Sequence, residues 1–131
     1  KHGLDCVFLD ISHKPADFPV ETWQKWASPV WMDIDQTNVL NGRIAREDRD
    51  EKHICPLQLG FIERCVRLWS NPGELVLTPF AGIGSELYQS VKLGRRAIGI
   101  ELKPSYWRTA VDKLTALESE MAVPTLFEDA G

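Results

Sequence analysis

The stretch from Glu74 to Gln89, ELVLTPFAGIGSELYQ, decides how the rest of this chain reads. Leu75-Val76-Leu77 is a short apolar run that meets Pro79 and then a loop of small residues, Ala81-Gly82-Ile83-Gly84-Ser85. Helical spacing follows at Leu87, Tyr88 and Val91. A buried strand that opens through glycines into a helix is how α/β proteins bring backbone close to a ligand. Gly82 and Gly84 permit positive φ and carry no Cβ to hold a ligand away. The helix N-terminus that follows favours an anionic group.

Working outward, the chain regains the same grammar on both sides. Upstream, Pro56 suits the first position of a helix, and Leu57, Phe61, Ile62, Cys65, Val66 and Trp69 recur at spacings of three and four. Asn71-Pro72-Gly73 stops that helix. Downstream, Gly94 suits a helix end, Ala97-Ile98-Gly99-Ile100 predicts a second buried strand, and Pro104 opens a third helix. That helix carries Tyr106, Trp107, Ala110, Val111, Leu114 and Leu117 on its apolar side. Two short strands joined through a helix must lie parallel. The expected fold is therefore α/β with parallel strands and flanking helices, each strand buried on both faces.

Three segments are expected. Residues 1–54 form an irregular, proline-interrupted part with Trp23, Trp26, Trp31 and Met32 close together and a mixed-sign charged run from Asn41 to His53. The tryptophans read as an apolar cover on the core, or more sharply as the wall of a base pocket. Residues 55–118 form the α/β core, and 119–131 a loose acidic tail.

Composition excludes several classes. The 131 residues suffice for one domain, with 44% apolar and 26% charged residues. No run approaches the roughly 20 apolar residues that span a bilayer. A net charge of −4 argues against a free-standing basic nucleic-acid binder. Cys6, Cys55 and Cys65 are odd in number and irregularly spaced, which points to a reducing cytoplasm. His53 and Cys55 are the one close pair of zinc-type ligands, so no metal site is expected.

The ligand of the glycine loop follows from what lies downstream. Glu101 stands at the end of the second strand, 19 positions after Gly82. An acid about 20 residues beyond a glycine turn is placed to accept from ribose hydroxyls. A dinucleotide fingerprint wants a small residue where Leu87 stands, and a second βαβ half for which there is no room. A phosphate loop wants Gly-Lys-Ser/Thr, which is missing. A nucleoside with a short charged tail remains, and S-adenosylmethionine fits.

Here a family resemblance becomes specific. LTPFAGIGSE (Leu77 to Glu86) resembles the Asp-Pro-Phe-x-Gly-x-Gly-Ser/Thr motif of bacterial and prophage DNA amino-methyltransferases. KHICPLQLGFIERCVRLWSNPGELVL resembles the segment that precedes this motif, and RAIGIELKPSYWRTAVDKL the strand, ribose-binding acid and helix that follow it. The resemblance implies a Rossmann-like methyltransferase fold and methylation of the exocyclic amino group of adenine, or of cytosine, in double-stranded DNA. By position it implies that Thr78, Pro79, Phe80, Ala81, Gly82, Gly84 and Ser85 line the methionine moiety. Glu101 would hold the ribose and Leu102 lie beside the adenine, with His53, Ile54, Cys55 and Pro56 across the cofactor. Two departures stand out. Thr78 replaces the motif's leading acid, and the catalytic Asp/Asn/Ser-Pro-Pro-aromatic tetrapeptide is absent, Ser28-Pro29-Val30-Trp31 being the nearest string. No catalytic residue is thus expected within this chain, which reads as the carboxyl-terminal, cofactor-binding part of such an enzyme. The alternative is a non-catalytic nucleoside-binding remnant or accessory module. In the family's sheet the tetrapeptide strand lies beside Leu75–Thr78, so the isolated chain is expected to self-associate through that edge.

Overall fold

In the computed structural model, which describes residues 18–40 and 56–122, the elements follow the order α1 (Val20–Trp26), α2 (Leu59–Trp69), β1 (Leu75–Thr78), α3 (Ser85–Lys92), β2 (Arg96–Gly99) and α4 (Pro104–Ala122). β1 and β2 pair in parallel, with Leu75 opposite Arg96 and Thr78 opposite Gly99. The connection runs through α3, as a parallel pair requires. Glu74 sets the start of this unit. Its carboxylate accepts from the Asn71 backbone N–H and side-chain amide, closing the turn that ends α2.

α3 packs on one face of the two strands, and α2 and α4 pack against α3. A Cβ on Gly99 would stand 2.6 Å from Leu87 Cδ1 and 2.8 Å from Ala81 Cβ, so β2 presses directly on α3 and the glycine loop. Alternation then places Ala97, Gly99, Val76 and Thr78 on the α3 side and Leu75, Leu77 and Ile98 on the other. That second face is uncovered: Leu75, Leu77 and Ile98 are 51%, 62% and 51% exposed. Burial of the strands on both faces, expected from their continuous apolar runs, is therefore corrected to burial on one, among the described residues. The outer edge of β1 is likewise unpaired among them, since the sheet has two strands.

Other boundaries also move. α2 begins at Leu59, not at Pro56, because Gln58 is still extended and forms an antiparallel bridge with Val39. The Leu59 N–H donates to the Asn38 carbonyl, so the chain leaves at residue 40 and returns at 56 through a pinched base. β2 starts one residue earlier than the apolar run, at Arg96, whose N–H donates to the Glu74 carbonyl. α4 continues to Ala122, four residues beyond the expected end of the core. The helical stripe of α2 splits: Ile62 and Val66 are buried, whereas Leu57 and Trp69 are exposed. On α4, Ala110 and Leu117 are buried while Trp107 and Val111 are partly exposed.

The tryptophan-rich segment is neither wholly irregular nor a plain apolar cover. It contains α1 and wraps a charged side chain of α2. The guanidinium of buried Arg64 lies 5.5 Å from the Trp26 ring centroid and 5.4 Å from that of Trp31, and donates to Asp33 at 2.8 Å. Lys25 meets the second Asp33 oxygen at 2.7 Å, and Trp31 Nε1 donates to the Trp26 carbonyl. Flat guanidinium faces stack on aromatic rings while their edges donate to carboxylate, which suits Arg to this position.

The Arg64 guanidinium, then Lys25, holds the Asp33 carboxyl well below the usual carboxylate range. A depressed folded-state pKa contributes stability above the unfolded value and loses it as pH falls through the folded one. Stability should therefore decline below about pH 4. Asp33→Asn should be less stable at pH 7 and show a shallower decline below pH 4, read by denaturant unfolding across pH. Parallel curves for the two proteins would contradict the ion-pair account.

Candidate functional site

The carboxyl end of β1 and the carboxyl end of β2 are tied together by a ladder that runs past the strands. The Ile100 N–H donates to the Thr78 carbonyl at 3.0 Å, and the Ala81 N–H donates to the Ile100 carbonyl at 2.9 Å. The Gly82 N–H then donates to the Glu101 carboxylate at 2.8 Å. The other carboxylate oxygen accepts from the Lys103 N–H at 2.8 Å. Each oxygen keeps acceptor capacity, since an ionised carboxylate has about four lone-pair sites. Two adjacent hydroxyls on one ligand could occupy what is left.

The glycine loop is a tight turn whose two glycines adopt a backbone conformation that side chains disfavour. The Gly84 N–H donates to the Ala81 carbonyl, and both Gly82 (φ 54°) and Gly84 (φ 89°) are left-handed. A Cβ on Gly84 would meet Ala110 Cβ at 2.9 Å, so this glycine is also where α4 closes on the loop. On the inside, Ile83 packs with Leu40, Leu59, Tyr88 and Tyr106. This cluster holds the loop from below and joins it to the pinched base of the N-terminal segment.

Of the expected cofactor-binding residues, the structure brings Thr78 to Ser85 and Glu101 into one constellation. Ala81, Gly84 and Ser85 are buried and Thr78 is half-buried. Phe80 and Leu102 project from the two sides, 84% and 93% exposed. Pro79 is exposed at the end of β1. Pro56 is half-buried, three residues before the start of α2. His53, Ile54 and Cys55 lie outside the described residues.

A cavity of about 410 Å³ borders the loop on the free-edge side of β1. Its wall combines α2 (Phe61, Cys65, Trp69), β1 through Pro79, and α3 (Glu86, Ser90). The reading of the residues did not single out Glu86 or Ser90. Glu86 sits inside the motif yet looks like any first-turn helix acid, and Ser90 carries no sequence signal. A second cavity, about 820 Å³, lies on the other side of Phe61, Cys65 and Trp69, beneath Pro29–Trp31 and Gln36. Burial between the two raises the pKa of the Cys65 thiol, which suits packing rather than reactivity. No cluster of three metal-binding side chains, and no helix long and apolar enough to cross a membrane, occurs among the described residues.

Comparison with known proteins shows the family. Residues 9–112 match a family model described as DNA methylase. The chain is 41% identical over 66 residues to the type II methyltransferase M1.MboII of Moraxella bovis, covering 50% of this chain and 25% of that protein. It is 31% identical over 81 residues to M.HindIII of Haemophilus influenzae, covering 62% and 26%. Among solved structures it resembles TTHA0409 of Thermus thermophilus, crystallised with S-adenosyl-L-methionine, with a TM-score of 0.57 and 31% identity over 76% of this chain and 34% of that one. The chain thus spans about a quarter of the curated relatives it matches.

Gly84→Ala should destabilise the protein by about 2–4 kcal/mol, combining the left-handed penalty with overpacking against Ala110. Thermal or denaturant unfolding measures it. A loss under about 0.5 kcal/mol, the size of an ordinary surface change, would show that the loop relaxes freely.

Proposed function

We propose that this chain, which belongs to the DNA methylase family, is the S-adenosylmethionine-binding part of an enzyme that methylates the exocyclic amino group of adenine, or of cytosine, in double-stranded DNA. The observation that carries this reading is the Glu101 carboxylate fixed against the Gly82 N–H, with acceptor capacity left on both oxygens.

The residues fit the group. Glu101 accepts from the two ribose hydroxyls. Phe80 and Leu102, both exposed at the rim, supply apolar surface to the flat base and the thioether. Gly82 lets backbone approach the ligand without a Cβ. The Thr78–Ser85 loop cradles the amino-acid tail at the start of α3, whose free N–H groups favour the tail carboxylate. His53, Ile54, Cys55 and Pro56 would close the site from across the cofactor. The bound cofactor supplies a sulfonium methyl for direct transfer to the amino nitrogen. In the whole enzyme the target base is flipped out of the stack to reach it. The natural compartment of this chemistry is the cytoplasm.

The Asp/Asn/Ser-Pro-Pro-aromatic string that positions the amino nitrogen in such enzymes does not occur in these 131 residues. Transfer depends on holding nucleophile, methyl and sulfur in line. The chain by itself should therefore bind cofactor without methylating DNA. The sheet face left uncovered and the β1 edge left unpaired among the described residues should also make it self-associate in isolation.

Two outcomes test this. Glu101→Ala should weaken binding of S-adenosylhomocysteine by about 1.5–3 kcal/mol in calorimetry, the range for hydrogen bonds to a charged group. Undiminished affinity would remove Glu101 from the site. In a labelled-methyl assay on mixed-sequence DNA, the pure 131-residue chain should show no incorporation. Clear incorporation would mean that the chain carries its own catalytic group.

A further inference from the structure

The amino-acid tail of S-adenosylmethionine carries a carboxylate and an ammonium, and the ammonium needs a negative partner. Thr78 cannot provide one. Among the described residues, Glu101 is held by two backbone N–H groups, Glu74 by Asn71 at the far end of β1, Glu63 by Arg67, and Asp33 by Arg64 and Lys25.

We propose that Glu86 is the counter-charge for that ammonium, a role that rests on the cofactor reading above. Among the described residues, Glu86 is the one charged residue in the lining of the 410 Å³ cavity, where it shares the wall with Thr78 and Pro79 at the end of β1. It lies in the first turn of α3, directly after the glycine loop. It is half-buried and makes no ion pair or hydrogen bond among the described residues. One helical turn on, Ser90 lines the same cavity at 0% exposure, and its Oγ has no hydrogen-bond partner. A buried hydroxyl without a partner is costly and rare. Glu86, Ser90 and Thr78, with Ser70, thus supply the polar groups of a mostly apolar wall that reaches from the end of β1 to the first turn of α3. A partly desolvated carboxylate there gains most from a cation with N–H donors. Residues 78 and 86 enter the cavity from different elements, so a negative charge can be delivered to one tail from either position.

Two ligands separate this role from a structural one. S-adenosylhomocysteine has the amino-acid tail; 5′-methylthioadenosine has the same nucleoside thioether without it. In calorimetry on the 131-residue chain, Glu86→Gln should lower affinity for S-adenosylhomocysteine by at least about tenfold, as expected for a charge-assisted hydrogen bond. Its affinity for 5′-methylthioadenosine should stay within about twofold. Adding Thr78→Asp to Glu86→Gln should restore most of the lost affinity, because the charge returns from the β1 side. Unchanged binding of S-adenosylhomocysteine by Glu86→Gln would overturn the assignment. So would an equal fall for both ligands, which marks Glu86 as a support of the loop or of α3. If the unaltered chain binds neither ligand, the cofactor reading itself fails and this role with it.

Discussion

The site exists because the hydrogen-bond ladder between β1 and β2 does not stop where the strands stop. It continues through the Ile100 carbonyl to the Ala81 N–H, and then changes partner, with the Glu101 side chain taking the Gly82 N–H. The carboxylate acts as the next rung of the sheet. That single substitution of side chain for backbone fixes the glycine loop, the acid and the start of α3 relative to one another. It also explains why the separation between Gly82 and Glu101 matters. Each must arrive at the same end of adjacent parallel strands, and the chain between them has to build one helix and one strand. Below the ladder, Ile83 against Leu40, Leu59, Tyr88 and Tyr106 closes the loop's underside, and Ala110 against Gly84 closes its flank.

Much of this was legible in the residues. The strand, glycine turn, helix, strand and helix were visible because apolar runs, left-handed glycines and an N-terminal proline are local signals. Positive φ at Gly73, Gly82, Gly84 and Gly94 follows the same logic. What was not legible depended on partners. Leu75-Val76-Leu77 looks like a strand buried on both faces, yet nothing among the described residues covers Leu75 and Leu77. Pro56 looks like a helix start, but the pairing of Gln58 with Val39 holds that backbone extended until Leu59. Arg64 looks like a solvent residue on an amphipathic helix. Its burial required two tryptophans and Asp33 from more than 30 positions away. Glu86 was hidden in plain view within the motif, because an acid in a first helical turn needs no further explanation until a cavity is seen beside it.

The uncovered surfaces make one pattern. Among the described residues, β1 lacks a neighbour on its outer edge, the second face of the sheet is bare, and Phe61, Cys65 and Trp69 line two adjoining cavities. A doubly wound fold hides such surfaces under further strands and helices. A chain that spans about a quarter of its curated relatives, and keeps the cofactor-side motifs, is expected to show them. The described residues have their own internal logic: the ladder positions the acid and the Arg64 cluster anchors the N-terminal segment.

The central claim is that the loop and acid form one ligand site, and amide chemical shifts during titration with S-adenosylhomocysteine test it most directly. The account predicts saturable shifts concentrated at Phe80–Glu86 and Glu101–Lys103, with smaller effects along α2. Shifts confined to other parts of the chain, or no saturation at millimolar ligand, would contradict it.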